Sequence, residues 1–153
     1  IAAFLAFHHP ERVVAAIFGG MAMNLINGLS DGNDIIAGLR APDLSDLTHP
    51  TARQFRIFAD HTGSDREALA ACMETSRQPM ARADVRRIEV PALVAVGEED
   101  EMAGGPEALA ELLPQGEALV IPRRDHMRAT GDKVFKAAAL EFLSKHCSSV
   151  PVS

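Results

Sequence analysis

The stretch Val90-Pro91-Ala92-Leu93-Val94-Ala95-Val96-Gly97-Glu98-Glu99-Asp100 decides the fold. Pro91 opens it, Ala92 to Val96 are apolar without a break, and Gly97 closes the run before three acids. A short, continuous apolar run with β-branched residues, bounded by Pro and Gly, predicts a strand buried on both faces, as in a parallel sheet. Two more runs share that character: Val13 to Phe18 ahead of Gly19-Gly20, and Ala118 to Ile121 stopped by Pro122. Around them the spacing turns helical. Ile1 to His9 reads as a helix that ends before Pro10, because a residue preceding proline disfavours the helical region. Pro106 to Leu113 places Leu109, Leu112 and Leu113 on one side, and Asp132 is placed to cap a last helix to Cys147 with Phe135, Ala138, Phe142 and Leu143 inward. Strands alternating with helices predict an α/β fold, here an incomplete parallel sheet of about three strands flanked by helices. Its first strand is expected to leave an open edge.

From Met21 to about Arg87 the pattern changes. Gly28, Gly32, Gly38, Pro42 and Pro50 punctuate a stretch with no strand signal. Pro50 suits a helix start, with Phe55, Phe58 and Ala59 on one face. Ser64-Asp65-Arg66-Glu67 has capping-box spacing, followed by a stripe of Leu69, Cys72, Met73 and Ser76. The expected organisation is therefore residues 1–23 with 88–147 as the α/β part, 24–87 as a helical insertion, and 148–153 as a frayed tail.

Composition narrows the function. The 153 residues suffice for one domain with its own core. The net charge is −6, basic residues are scattered, and Trp and Tyr are absent, which argues against a nucleic-acid partner. No apolar run reaches membrane-spanning length, and no signal-peptide pattern is visible. Two cysteines make neither a disulfide framework nor a metal-ligand pattern and fit a reducing, cytoplasmic setting. No strand is followed by G-x-G-x-x-G or a phosphate loop, so no nucleotide cofactor is expected. The chain starts at Ile1 inside a helical run without a capping residue, which reads as the start of a fragment.

In open parallel sheets, ligands bind at the carboxyl ends of the strands. Asp100 lies in the loop just beyond one such end, and His126 in Pro122-Arg123-Arg124-Asp125-His126 lies beyond the next. A parallel β–α–β unit sets these loops side by side, and a carboxylate beside an imidazole fixes its tautomer and steadies the imidazolium formed when it acts as a base. Taken alone, the acids of Glu98 to Glu101 read as a solvated loop and His126 as a structural histidine.

Several motifs in order resemble the second half of α/β-hydrolase-fold enzymes: HPERV (His9 to Val13), VPALVAVGEED (Val90 to Asp100), ALAELLP (Ala108 to Pro114), IPRRDHM (Ile121 to Met127) and the closing VFKAAALEFL (Val134 to Leu143). The resemblance is weakest over 24–87, where the family carries its variable cap. It implies that Asp100 is the triad acid, His126 the general base, and the helical insertion a lid. Where family members often carry Gly before the histidine, this chain has Asp125. In the family the nucleophile sits on a strand-to-helix turn, G-x-S-x-G, ahead of the acid and the histidine. Matching Ile1 to His9 with the helix after that turn places the nucleophile before Ile1. The implied enzyme is a cofactor-free and metal-free hydrolase of an ester or similar small acyl compound. Epoxide hydrolases and dehalogenases share the layout with an aspartate nucleophile.

Gly28-Leu29-Ser30-Asp31-Gly32 also fits G-x-S-x-G. An elbow needs a strand ending at the serine, whereas the preceding strand signal stops at Gly19, so Ser30 is read as a decoy. Gly20, Met21 and Met23 follow the first strand's carboxyl end and are candidates for the substrate pocket, although soft apolar residues are more often core. His8 and His9 point apart on a helix, which argues against joint metal binding, and His49 and His61, without ligand-spaced partners, read as surface residues. Cys72 reads as a buried small hydrophobe. The expected partner is a small-molecule substrate. The alternative is a catalytically inactive half-domain that associates through its open sheet edge, with a second copy or with a missing N-terminal segment.

Overall fold

The computed structural model describes residues 1–76 and 78–147; the expected tail at 148–153 lies outside the described residues. Three strands, β1 (Ala16–Gly19), β2 (Ala92–Gly97) and β3 (Gly116–Ile121), form one sheet in the order β1-β2-β3. Both pairings are parallel, with Ala16 opposite Ala92 and Gly97 opposite Ile121. The central strand is buried at all six positions, which explains its continuous apolar run: parallel sheets are covered on both faces and leave no polar side. Among the described residues β1 pairs only with β2.

The chain divides into two compact units, one of residues 1–27 with the chain from Pro79 onward, the other Gly28–Gln78. In the first, helices α1 (Ala2–His8), α2 (Asn24–Asn27), α6 (Arg82–Val85), α7 (Glu107–Ala110), α8 (His126–Ala129) and α9 (Lys133–Cys147) accompany the sheet. Phe18, Val94, Val96, Val85, Ile88 and Leu109 centre its core. Leu25 of α2 and Val85 of α6 belong to that same core, so both short helices sit with the sheet although the sequence spacing assigns 24–87 to the insertion. Their apolar side chains are too few to make a separate core and are covered by the larger one.

The strand expected from Val13 is shorter than its apolar run. A 3₁₀ turn over Pro10–Arg12 takes up the chain, Val13 closes it, and pairing begins only where the Ala16 N–H donates to the Pro91 carbonyl at 2.9 Å. Asp132 caps α9 as expected, its Oδ1 accepting the Val134 N–H at 2.7 Å.

In the second unit, helices α3 (Gly32–Arg40), α4 (Pro50–Thr62) and α5 (Arg66–Ser76) bury Ile35, Leu39, Ala59 and Ala70 together. Gly38 lets α3 and α4 approach closely, since a Cβ there would stand 2.9 Å from the Ala52 methyl. Two sequence expectations change. The α5 cap is Asp65, whose Oδ1 accepts the Ala68 N–H at 3.1 Å, while Ser64 bonds the Thr62 hydroxyl. Cys72 and Phe58 are exposed rather than inward: Ile35, Leu39, Ala59 and Ala70 make the buried contacts of this unit, with Phe55 and Met73 packed against them.

Candidate active site

β2 and β3 are adjacent and parallel, so their carboxyl-end loops leave the sheet side by side. The turn after β2 returns on itself through the Asp100 N–H to the Gly97 carbonyl (3.0 Å), which turns the Asp100 side chain inward. That side chain is wholly inaccessible to solvent. Its Oδ1 accepts the backbone N–H groups of Met102 (3.1 Å) and Ala103 (2.9 Å), and its Oδ2 lies 2.8 Å from Nδ1 of His126. Three donors thus converge on one buried carboxylate, the arrangement that makes a buried charge tolerable. Asp100 and His126, paired on sequence grounds, are brought together.

His126 is the first residue of α8, held in place from four directions. Asp125 precedes it with extended backbone (φ −80°, ψ 178°), and its carboxylate accepts the Arg128 N–H at 2.8 Å, capping the helix. An ordinary L residue adopts that backbone, so Asp125 replaces the expected glycine without strain and supplies a cap in return. Arg124 donates to the Asp132 carboxylate at 2.6 Å, tying the loop to the start of α9. The Val134 N–H, and after it the Arg124 guanidinium, hold the Asp132 carboxyl below the usual carboxylate range. The Glu99 and Glu98 N–H groups donate to the carbonyls of Arg124 (3.0 Å) and Ile121 (2.9 Å), and the Glu98 side chain accepts the Arg123 N–H (2.9 Å). Arg123 itself sits at φ +55°, a left-handed conformation uncommon for a residue with a Cβ.

Two glycines matter here: Gly97, which motif reading left without a role, and Gly20, which it placed in the substrate pocket. At Gly97 a Cβ would overlap the Arg124 carbonyl oxygen, so only glycine lets β2 end against the histidine loop. At Gly20 (φ +61°) a Cβ would stand 3.0 Å from Cε1 of His126, so the backbone beyond β1 forms one wall against the imidazole. Their position directly at strand ends was the available signal.

A pocket of about 200 Å³ opens on His126, lined by Gly19, Gly20, Ala95, Ile121, His126 and Phe135 among others. Of the three candidate pocket residues, Gly20 lines it. Met21 and Met23 are not among its lining residues and pack, partly buried, against the core of the first unit. The imidazole is 30% exposed, and among the described residues its Nε2 has no hydrogen-bond partner, so a proton can be exchanged there while Asp100 holds Nδ1.

Ser30 has a different setting. It stands in an exposed turn ahead of α3, with α2 rather than a strand before it, and its hydroxyl donates to the Asp31 carboxylate at 3.0 Å. Thr51 first and Ser30 second hold that carboxyl low. A serine whose proton is engaged by its neighbour's carboxylate on a loop is not a nucleophile elbow. Among the described residues no three His, Cys, Asp or Glu side chains converge as a metal site, and no helix is long and apolar enough to cross a membrane.

No family model and no curated protein sequence matches the chain. Solved structures do. A hydrolase from Pseudomonas aeruginosa PA01 is similar over 93% of this chain and 60% of its own, with 23% sequence identity and a TM-score of 0.67. The enol-lactonase from Burkholderia xenovorans LB400 is similar over 94% of this chain and 61% of its own, with 18% identity and a TM-score of 0.67. An alpha/beta hydrolase enzyme from a Medee basin deep-sea metagenome library gives 94% and 60%, with 19% identity and a TM-score of 0.65. The chain therefore spans about 60% of the length of the structures it matches. Its parallel sheet, the order of its elements and these likenesses agree: the chain has the α/β-hydrolase fold.

Proposed function

We propose that this chain is the C-terminal part of a serine-type hydrolase of carboxylic esters or similar small acyl compounds, carrying the acid and the base but not the nucleophile. The observation that carries the reading is the 2.8 Å contact between Nδ1 of His126 and the buried Asp100 carboxylate beside an open pocket. Asp100 accepts a hydrogen bond from the Nδ1–H and so selects the tautomer with a free lone pair on Nε2. Nε2 takes the proton of an incoming hydroxyl, Asp100 steadies the resulting imidazolium, and the same proton then passes to the leaving group. The nucleophile and the oxyanion-binding N–H groups belong to the part of the fold that this chain does not span. That one structural relative is an enol-lactonase supports the ester class. The helical insertion, read from sequence as 24–87 and centred on the compact unit Gly28–Gln78, serves as the cap. Two free cysteines fit a cytoplasmic setting, and no cofactor is required by this chemistry.

A second reading follows from β1. Its edge carries no charge or proline within Ala16–Gly19 to deter another strand, whereas β3 carries Glu117 and is followed by Pro122. In this reading the chain is an inactive half-domain that lives by pairing that edge. Hydrolysis of p-nitrophenyl acetate separates the possibilities. The chain alone is expected to show none, and the polypeptide made from the natural coding sequence, including whatever precedes Ile1, is expected to turn over and to lose turnover in His126→Ala. Turnover by the chain alone that disappears in Ser30→Ala would overturn the assignment of the nucleophile. Absence of turnover in the complete polypeptide would favour the half-domain.

A further inference from the structure

The segment that leaves β1 meets His126 at one end and the turn that carries Asp100 at the other. At one end the Gly20 backbone lies against the imidazole of His126. Four residues on, Asn24 opens α2, and its Nδ2 donates to the Met102 carbonyl at 2.7 Å, a partly buried bond across 78 residues of sequence. Met102 is also the residue whose N–H donates to Asp100 Oδ1, next to that of Ala103. The bonds from Met102 and Ala103 are internal to the Asp100 turn, and the bonds of Glu98 and Glu99 to the histidine loop hold only its start, ahead of Asp100; none of these reaches Met102 from outside. The bond from Asn24 comes from outside the turn.

The segment between is held stiffly. Gly20 (φ +61°) and Ala22 (φ +39°) both occupy the left-handed region, and Ala22 is wholly buried. A residue with a Cβ persists in that conformation only where its surroundings hold it. The Asn24 and Leu25 N–H groups close onto the Met21 and Ala22 carbonyls, and the Leu25 carbonyl accepts the Met80 N–H at 2.8 Å. The segment is thus a rigid brace with one end on the imidazole and the other on the carboxylate's turn.

We propose that Asn24 is a positioning residue, the tether that sets the distance between Asp100 and His126. It touches neither the imidazole nor the pocket and acts only through Met102. The inference rests on reading Asp100 and His126 as an acid–base pair, and its test does not depend on turnover.

The test is the low-field proton NMR signal of the His126 Nδ1–H, assigned by its loss in Asp100→Ala. In Asn24→Ala, which removes the donor, and Asn24→Asp, which keeps the shape and replaces the donor with an acceptor, the signal is expected to be lost through faster exchange while circular dichroism stays that of the parent. A signal unchanged in either folded variant overturns the proposal. So does loss of the fold in both variants, since Asn24 would then be a residue of the fold and not of the pair. An enzyme assay that fails while the signal behaves as expected strikes the catalytic reading and leaves the tether standing.

Discussion

Gly20 and His126 face each other so closely that a Cβ on the glycine, whose φ is +61°, would stand 3.0 Å from Cε1 of the imidazole. Gly20→Ala meets both obstacles. The left-handed backbone costs a residue with a Cβ about 1–2 kcal/mol, and a methyl 3.0 Å from Cε1 displaces the ring by a few tenths of an ångström. The expected outcome is a lower unfolding midpoint in urea and, in the polypeptide that carries the nucleophile, a fall in kcat on the order of 10-fold.

Asp100 separates chemistry from fold. Asp100→Asn keeps an oxygen for the Met102 and Ala103 N–H groups but turns an amide N–H toward Nδ1, which forces the other tautomer. Stability is expected to stay within about 1 kcal/mol while kcat falls on the order of 10³–10⁴-fold. Asp100→Ala strands those two backbone donors in a buried place and is expected to cost about 2–4 kcal/mol by denaturant unfolding.

Gly97→Ala tests the strand end that carries the acid. The added methyl overlaps a backbone carbonyl, which cannot rotate away as a side chain would. Either β2 or the histidine loop must shift, and a loss of about 3 kcal/mol or more is expected in chemical denaturation.

Asp132 gives the fold an acid-sensitive anchor. Its carboxyl is held below its ordinary value by the Val134 N–H and the Arg124 guanidinium. A depressed folded-state value means that the contribution is complete above the unfolded value, about 3.9, and is lost as pH falls through the folded one. Stability measured from pH 7 downward is expected to fall on that limb, and Asp132→Asn to flatten it. An equally steep limb in the variant would contradict the assignment.

Much of this was legible in sequence because it depends on local pattern. The unbroken run from Ala92 to Val96 made β2 a central strand, and strand ends pointed to Asp100 and His126. Asp132 followed from its place before an apolar helix. What escaped reading depends on contacts without a spacing signal. The Asn24–Met102 bond joins residues 78 apart, and Gly20 meets His126 only because β1 and β3 flank β2. Met21 and Met23 look like pocket residues by position but pack, partly buried, against the core of the first unit, which apolar composition cannot distinguish. Phe58 and Cys72 kept helical spacing yet lie outside, because which flank of each helix faces the buried Ile35, Leu39, Ala59 and Ala70 is set by how the three helices pack and not by spacing along one of them.

The most direct test of the central claim is fluorophosphonate labelling of the polypeptide made from the natural coding sequence, mapped by peptide mass spectrometry. Such reagents modify a serine whose proton is taken by a paired imidazole. The account expects a single adduct on a serine preceding Ile1, abolished by His126→Ala. An adduct on Ser30, or none at all, would contradict it.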